Sequence, residues 1–393
     1  MRRVLLFDTI IDGHHTDYLS HLINYWLQTK PEGELIVVAQ ASFDSTYRHL
    51  LDSISSANTD TIRFVPIAPE EIDDVHQGST LGRPFREWNL QLKYGRRYRA
   101  THVVLMYFDI FQLGLWLGRK ADYPVSGIYF RPDFHYVSSA GLKARLNVLR
   151  KKATLRGVLH QEILANLFCL DHSAVAKVRE MNPRVNVVPL PDPVKFYTIT
   201  STERENLRSE LRLEPNRKIF LLFGYLDQRK GIEPFLEAVD QLRPELQQQI
   251  CFLVVGAINP DYQTQLEKKI SLINSNIQIV SVFREIKGKQ IQTYFELSDY
   301  VLTLYQRHVG MASVLIRAAI SGKPLFSSDY GYVGHLVKTE QLGVATDSTS
   351  PVAICQLMEQ VLTKGITYST ENLGRLADQN SDVSFARTIF DHL

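Results

Sequence analysis

The chain has 393 residues, long enough for two domains with full cores. Its 45% hydrophobic and 22% charged residues are ordinary for a soluble globular protein, and a net charge of +2 gives no global reason to expect nucleic acid as a partner. Three cysteines (Cys169, Cys251 and Cys355) lie far apart in apolar surroundings, which argues against a disulfide framework or a zinc site and for reduced, buried thiols in a cytoplasmic protein.

In chain order, Met1-Arg2-Arg3 leads into Val4–Phe7, an apolar run interrupted at Asp8 and too short for a signal peptide or membrane span. Further strand-like runs follow at Leu35–Ala39, Ile62–Ile67, His102–Tyr107, Val125–Phe130 and Leu167–Leu170, with helix-periodic stretches such as Asp17–Gln28 and Phe111–Arg119 between them. The second half repeats the rhythm at Ile219–Phe223, Ile250–Val255, Ile277–Val282, Tyr300–Leu304 and Pro324–Ser327. Alternating strands and helices imply βαβ units and parallel sheets. Pro189, Pro191 and Pro193 stiffen a crossing between the halves and forbid a helix there. The expected organisation is an α/β domain over residues 1–190, a second over 191–375, and a final segment, 376–393, whose helix near Val383–Phe390 returns to the first domain. Two such halves would leave a ligand cleft at the carboxyl ends of their sheets.

The most informative stretch is Ile219 to Gly231. A buried strand ends at Gly224, Arg229 and Lys230 stand side by side, and Gly231 opens a helix running from Ile232 to about Leu242. A glycine turn followed by a helix N-terminus with two cations suits a diphosphate, because free N–H groups, the helix dipole and full charges all face the anion. A surface loop with solvated charges is the plainer alternative. Gly310-Met311-Ala312-Ser313 offers a second set of backbone donors at the start of the Ala312–Ser321 helix, and an ordinary helix start explains it equally well.

Several motifs resemble those of GT-B glycosyltransferases, closest to the retaining family-4 group that includes many bacterial polysaccharide enzymes. Gly224 to Gly231 is similar to that family's Gly-Arg-Leu-x-x-x-Lys-Gly segment, Val254-Val255-Gly256 to the strand-to-glycine step after it, and Gly322 to Asp329 to its Gly-x-Pro-Val-x-x-(Ser/Thr)-Asp stretch. Val187-Val188-Pro189 resembles the strand entering the linker. The resemblance implies a GT-B fold of two Rossmann-like domains and transfer of a sugar from a nucleoside diphosphate sugar, UDP-linked by expectation, to a hydroxyl. The nucleotide sugar is a co-substrate, and neither cofactor nor metal is expected, since Lys230 and Arg229 would take the charge of the leaving group. Asp73-Asp74 reads as a solvated face in a loop-like stretch rather than a metal site. Arg284 is the candidate at the nucleotide base, and His308, with Tyr305 and Arg307, lines the approach to Gly310. The family's two glutamates, eight positions apart, fall on Val309 and Arg317, and its arginine after the first glycine falls on Tyr225. Arg317 is therefore a candidate donor contact that supplies positive charge by another route.

The first half is expected to hold a saccharide or lipid-linked saccharide acceptor. Asp12-Gly13-His14-His15 follows the first strand: Gly13 permits a turn near the donor phosphates, and His14 and His15 are candidate acceptor contacts, with helix capping as the alternative. Arg131 occupies the place of a family histidine and is a candidate catalytic contact, with an Arg131–Asp133 ion pair as the plainer reading. Asp109 joins the acceptor side if it faces the cleft. Residues 1–195 carry 24 Lys+Arg against 20 Asp+Glu. Within them, Leu142, Leu146, Leu149 and Ala153 recur at helical spacing beside Lys143, Arg145, Arg150, Lys151, Lys152 and Arg156. Such a helix either packs its apolar stripe on the core or rests peripherally on the inner face of an anionic membrane. A sugar-nucleotide epimerase and a silent nucleotide-sugar-binding partner are the competing functions; the first needs more acid/base carboxylates, and Val309 and Arg317 speak for the second. Tyr330-Gly331-Tyr332-Val333-Gly334 reads as a turn with aromatic packing, to which no chemistry is assigned.

Overall fold

The structure is a computed structural model that describes residues 2–10, 15–41, 43, 61–130, 132, 142–273, 276–308 and 310–393, with backbone alone at 15, 142–145 and 147. The chain divides into two compact units, Met1–Pro193 with Asp382–Leu393, and Val194–Ser381.

In the first unit the strands are β1 (Arg3–Phe7), β2 (Glu34–Gln40), β3 (Ile62–Ile67), β4 (His102–Leu105), β5 (Val125–Tyr129), β6 (Leu164–Cys169) and β7 (Asn186–Pro189). They form one 7-stranded sheet in the order β3-β2-β1-β4-β5-β6-β7, with every pairing parallel. The helices are α1 (His15–Thr29), α2 (Pro69–His76), α3 (Arg83–Arg97), α4 (Gln112–Leu117), α5 (Leu142–Leu159) and α6 (His172–Met181). Runs such as Leu-Ile-Val-Val-Ala in β2 are apolar without alternation because helices cover both faces of a parallel sheet. One face buries Trp88, Phe108, Leu155 and Val158; the other buries Leu22, Trp26 and Phe168.

The second unit contains β8 (Lys218–Phe223), β9 (Ile250–Val255), β10 (Gln278–Val282), β11 (Tyr300–Thr303), β12 (Leu325–Ser328) and β13 (Gly343–Thr346), ordered β10-β9-β8-β11-β12-β13. Its helices are α7 (Ser201–Glu210), α8 (Ile232–Asp240), α9 (Pro244–Gln247), α10 (Pro260–Ile270), α11 (Lys289–Leu297), α12 (Ser313–Ile320), α13 (Gly331–Thr339), α14 (Pro351–Lys364) and α15 (Thr370–Gln379). Each unit reverses its strand order beside the first strand it contributes, and in such sheets ligands bind at the carboxyl ends near that reversal. The last helix, α16 (Asp382–Phe390), belongs to the first unit. Phe385 packs on Tyr18, and Phe390 on Trp26 and Tyr25, with ring centroids 4.8, 5.2 and 5.8 Å apart. Arg2 donates to the carbonyls of Phe390 and Leu393, and Asn166 to that of His392. At the crossing, the Tyr18 hydroxyl donates to Asp192, which ties the linker to α1.

Four local expectations need correction. Asp73 and Asp74 are exposed as expected but ride on a helix, α2, because Ile72 and Val75 bury its other face. The segment after Tyr330 is the start of α13 rather than a turn, with Tyr332 and Val333 buried. Cys169 and Cys251 are buried thiols, whereas Cys355 is only half-buried. Finally, α5 packs on the core through Leu155, Val158 and Leu159, while Leu146, Leu149 and Ala153 lie exposed on its other side. Among the described residues no helix is long and apolar enough to cross a membrane.

Beside the docked C-terminal segment, His102 Nε2 lies 2.8 Å from the Ser126 hydroxyl, which also accepts from Asn166. Burial, with a smaller contribution from the Arg2 charge, lowers the His102 pKa from the usual 6.5 to about 4. The unfolded chain therefore takes up this proton first on acidification, so the associated stability is complete above pH 6.5 and is lost progressively towards pH 4. Thermal melts across that window should show a falling Tm, and a His102→Gln variant should fall less steeply, the difference amounting to roughly 3 kcal/mol at most.

Candidate functional site

The carboxyl edge of the second unit's sheet is shaped by two glycines. Gly224 leaves β8 at φ +114°, Gly256 leaves β9 at φ +150°, and a Cβ on Gly256 would stand 1.7 Å from the Gly224 carbonyl oxygen. The strands can end this close together only without side chains. Gly224 N–H donates to Val255 and Leu226 N–H to Ala257, so the chain stays pinned to β9 before turning away.

One 3₁₀ turn, Gln228–Lys230, then delivers the two cations, and they have different fates. The Arg229 guanidinium donates twice to its neighbour Asp227, at 3.0 and 2.7 Å, and the Arg229 side chain is 73% exposed. Asp227 also accepts from the Arg229 amide, so this carboxylate caps the turn and holds its arginine. Lys230 folds back over Gly224: a Cβ there would meet Nζ at 2.9 Å. Its ammonium donates to the Phe223 carbonyl at 2.9 Å and to the Tyr305 hydroxyl at 3.3 Å, and lies 4.8 Å from the Tyr305 ring centroid. Among the described residues no carboxylate pairs with Lys230. Its positive charge is therefore held in place without being neutralised.

The loop after β11 completes the arrangement. Gln306 N–H donates to the Arg229 carbonyl, and the Gln306 amide donates to Leu304 and Ser348 carbonyls. The Ser348 hydroxyl is in turn within hydrogen-bond distance of the Tyr305 carbonyl and of Ser328. Arg307 takes a left-handed backbone at φ +54°, a conformation that costs a non-glycine residue about 1 kcal/mol or more and turns the chain toward His308. The His308 ring stacks at an angle on Tyr305, 5.1 Å between centroids, and its Nε2–H donates to the Met311 carbonyl at 3.2 Å. Burial, followed by the nearby Arg229 and Lys230 charges, lowers the His308 pKa against the opposing effect of that hydrogen bond. The neutral ring then presents Nδ1 as an acceptor suited to a hydroxyl.

Two helix starts share this edge. Gly231, at φ +70°, is the N-cap of α8, and Ala312 is the N-cap of α12; among the described residues no side chain caps either helix. The first free N–H groups of both helices are thus left for a ligand, and their dipoles favour an anion. One unneutralised ammonium and two uncapped helix starts make this edge suited to a diphosphate.

The structure brings Gly224, Lys230, His308, Gly310, Met311, Ala312 and Ser313 into this region. Arg317 is half-buried one turn further along α12, in its last turn. Arg284 is exposed just after β10, its amide donating to the Val282 carbonyl. In the first unit, Asp109 accepts from the Phe130 amide at 3.0 Å and so straps the carboxyl end of β4 to that of β5. Gly13, His14, Arg131 and Val309 lie outside the described residues, as does the side chain of His15. Sequence reasoning missed Glu87, a fully buried carboxylate in α3 paired with Arg83 at 3.2 Å. Burial raises its pKa, opposed by the Thr9 hydroxyl at the end of β1 and by the Arg83 charge. The spacing of Arg83 and Glu87 four residues apart was the available signal, and it equally describes a surface pair.

Comparison with known proteins fits this geometry. Residues 203–379 match the family model described as glycosyl transferases group 1. No curated protein matches the chain in sequence. Among solved structures, HepE of Anabaena, in a complex with UDP and glucose, is 13% identical with a TM-score of 0.65, covering 100% of this chain and 99% of its own. WaaG, a glycosyltransferase involved in lipopolysaccharide biosynthesis, is 16% identical at a TM-score of 0.65 with the same coverage. A glycosyltransferase from Rickettsia africae is 12% identical at 0.68, covering 99% and 97%. The fold is thus GT-B, two Rossmann-like parallel-sheet units. With its group 1 domain in the second unit, the chain is a glycosyltransferase.

Gly256→Ala should strain the backbone and drive the two strand ends apart. The expected loss is about 3 kcal/mol of stability, read as a lowered Tm in thermal unfolding.

Proposed function

We propose that this glycosyltransferase moves a sugar from a nucleoside diphosphate sugar, with UDP as the nucleotide, to a hydroxyl of a saccharide or lipid-linked saccharide. Its place would be in envelope or exopolysaccharide assembly. The observation carrying this reading is the Lys230 ammonium, fixed by Phe223 and Tyr305 beside two uncapped helix starts and paired with no carboxylate among the described residues. As the bond from the sugar C1 to the phosphate oxygen breaks, negative charge grows on the departing diphosphate. Fixed positive groups lower the barrier most where that charge appears. UDP is favoured because HepE, which shares the fold, is found with UDP and glucose.

Arg229, already held by Asp227, would act as a supporting charge at the rim, and His308 Nδ1 would accept from a sugar hydroxyl. Transfer would need no divalent metal, because Lys230 and the helix dipoles stand where a cation would. It would retain the anomeric configuration, as the motif resemblance implies. His14, His15, Arg131 and Asp109 would serve the acceptor side.

Incubation with a panel of nucleotide sugars, with and without EDTA, tests the reading. Slow release of UDP that survives EDTA is expected. Lys230→Ala should lower turnover by about 10²- to 10³-fold while the circular dichroism spectrum is unchanged. Turnover unaffected in that variant would refute the assignment, an altered sugar on intact nucleotide would indicate epimerisation, and binding without turnover a silent partner.

A further inference from the structure

The first turn of α3 carries its charge against the helix dipole. A helix start favours acidic side chains, because its free N–H groups present positive charge there. In α3 the first turn holds no acidic residue, Gly82 supplies no side-chain cap, and the helix opens on Arg83 with Arg86 one turn on. The two arginines are used differently. Arg86 donates from Nε to the Val75 carbonyl and from Nη2 to the Ser79 carbonyl, which closes the end of α2. Arg83 engages only its Nε, with Glu87 Oε1 at 3.2 Å, and its side chain is 35% exposed. Among the described residues its Nη1 and Nη2 groups meet no acceptor. Glu87 itself is fully buried, and a carboxylate taken out of water is costly unless it is paired and fully hydrogen-bonded. Its Oε2 is buried without a partner among the described residues, as is the Thr9 hydroxyl beside it.

The position of this turn is also telling. Pro84 lies against α4, where a Cβ on Gly114 would stand 2.4 Å from the Pro84 carbonyl oxygen. Thr9 follows β1 and α4 follows β4, so Arg83 stands at the carboxyl edge of the first sheet, where its strand order reverses. A guanidinium held through Nε keeps its outer edge, two parallel Nη–H groups, for bidentate contact with a carboxylate or a phosphate. We propose that Arg83, oriented by the buried Glu87 at the uncapped start of α3, binds an oxyanion, carboxylate or phosphate, carried by the saccharide acceptor. Arg83 is then a binding residue and Glu87 a positioning residue. A neutral acceptor would leave the prepared guanidinium edge unused. This deepens the sugar-transfer reading by naming the acceptor's charge, and it rests on that reading for calling the ligand an acceptor.

Ligand-observed NMR on the full chain at low salt tests the proposal, with excess UDP present so that the second unit's edge does not compete. Glucuronate and glucose 6-phosphate serve as anionic probes, and methyl glucoside as the neutral control. At least one anion is expected to bind, and the glucoside is not; the preferred anion tells carboxylate from phosphate, and high salt should weaken it. Arg83→Gln should lose roughly tenfold or more in that affinity, and Arg83→Lys, which keeps the charge without the fork, roughly threefold or more. Glu87→Gln retains an oxygen for Arg83 and should bind within about twofold of the parent, whereas Glu87→Leu frees the arginine and should weaken binding about fivefold. A purely structural glutamate would alter Tm in both variants and affinity in neither. Should Glu87→Leu not fold, the two Arg83 variants decide by themselves. Neither anion bound by the parent chain, or binding undiminished in Arg83→Gln, would overturn the proposal. UDP binding by the parent, measured separately, reports on the transfer reading alone, so that its absence would count against that reading while Arg83-dependent anion binding stood.

Discussion

The close approach of two backbones, at Gly224 and Gly256, is the constraint on which the rest of the second unit's edge depends. Neighbouring parallel strands normally keep their side chains between them and the next layer. Here β8 and β9 end without any, so the Gly224 carbonyl sits where a Cβ would otherwise stand. The room that remains above Gly224 is filled by the Lys230 ammonium, which reaches back seven residues to the Phe223 carbonyl. A side chain at Gly224 would displace that ammonium, and one at Gly256 would collide with the Gly224 backbone. The location of the charge is thus set by steric permission in the backbone and only then by hydrogen bonds.

Electrostatics divides the adjacent cations by role. Arg229 is held by Asp227 through its side chain and its amide, an arrangement that shapes the turn and pairs the arginine with a carboxylate. Among the described residues Lys230 has neutral partners alone, a carbonyl, a hydroxyl and an aromatic face, each of which stabilises an ammonium without cancelling it. Burial above all, with Arg229 and then Lys230 adding to it, lowers the His308 pKa, so an uncharged ring lies beside the lysine. Two adjacent residues that look equivalent in the sequence become one cation paired with a carboxylate in its own turn and one held by neutral groups.

The architecture was legible in the sequence because strands covered on both faces are apolar runs without alternation, and β1, β2, β8 and β9 have that form. Where burial is partial the signal fades. The strand β13 (Gly-Val-Ala-Thr) lies half-buried at a sheet edge and was not anticipated, and the start of α13 looked like a turn because its tyrosines and glycines carry little helix preference. The leucine spacing of α5 was visible, but not which stripe meets the core, since Leu146 and Leu155 differ in nothing local. At the site, the strand–glycine–lysine–helix order was readable, whereas the partners of Lys230 and His308 were not. Tyr305 lies 75 residues from Lys230, and Ser348 a further stretch beyond the loop it supports. Only the fold makes them neighbours.

The placement of α16 also bears on how the molecule comes into being. The apolar face of α1 formed by Tyr18, Trp26 and their neighbours is covered by Phe385, Ile389 and Phe390, from the opposite end of the sequence. During synthesis from the amino terminus, that face emerges from the ribosome early and waits through the translation of nearly the whole second unit for its cover. The first unit therefore matures last although it is made first, and in the interval its uncovered aromatics are a natural client surface for chaperones.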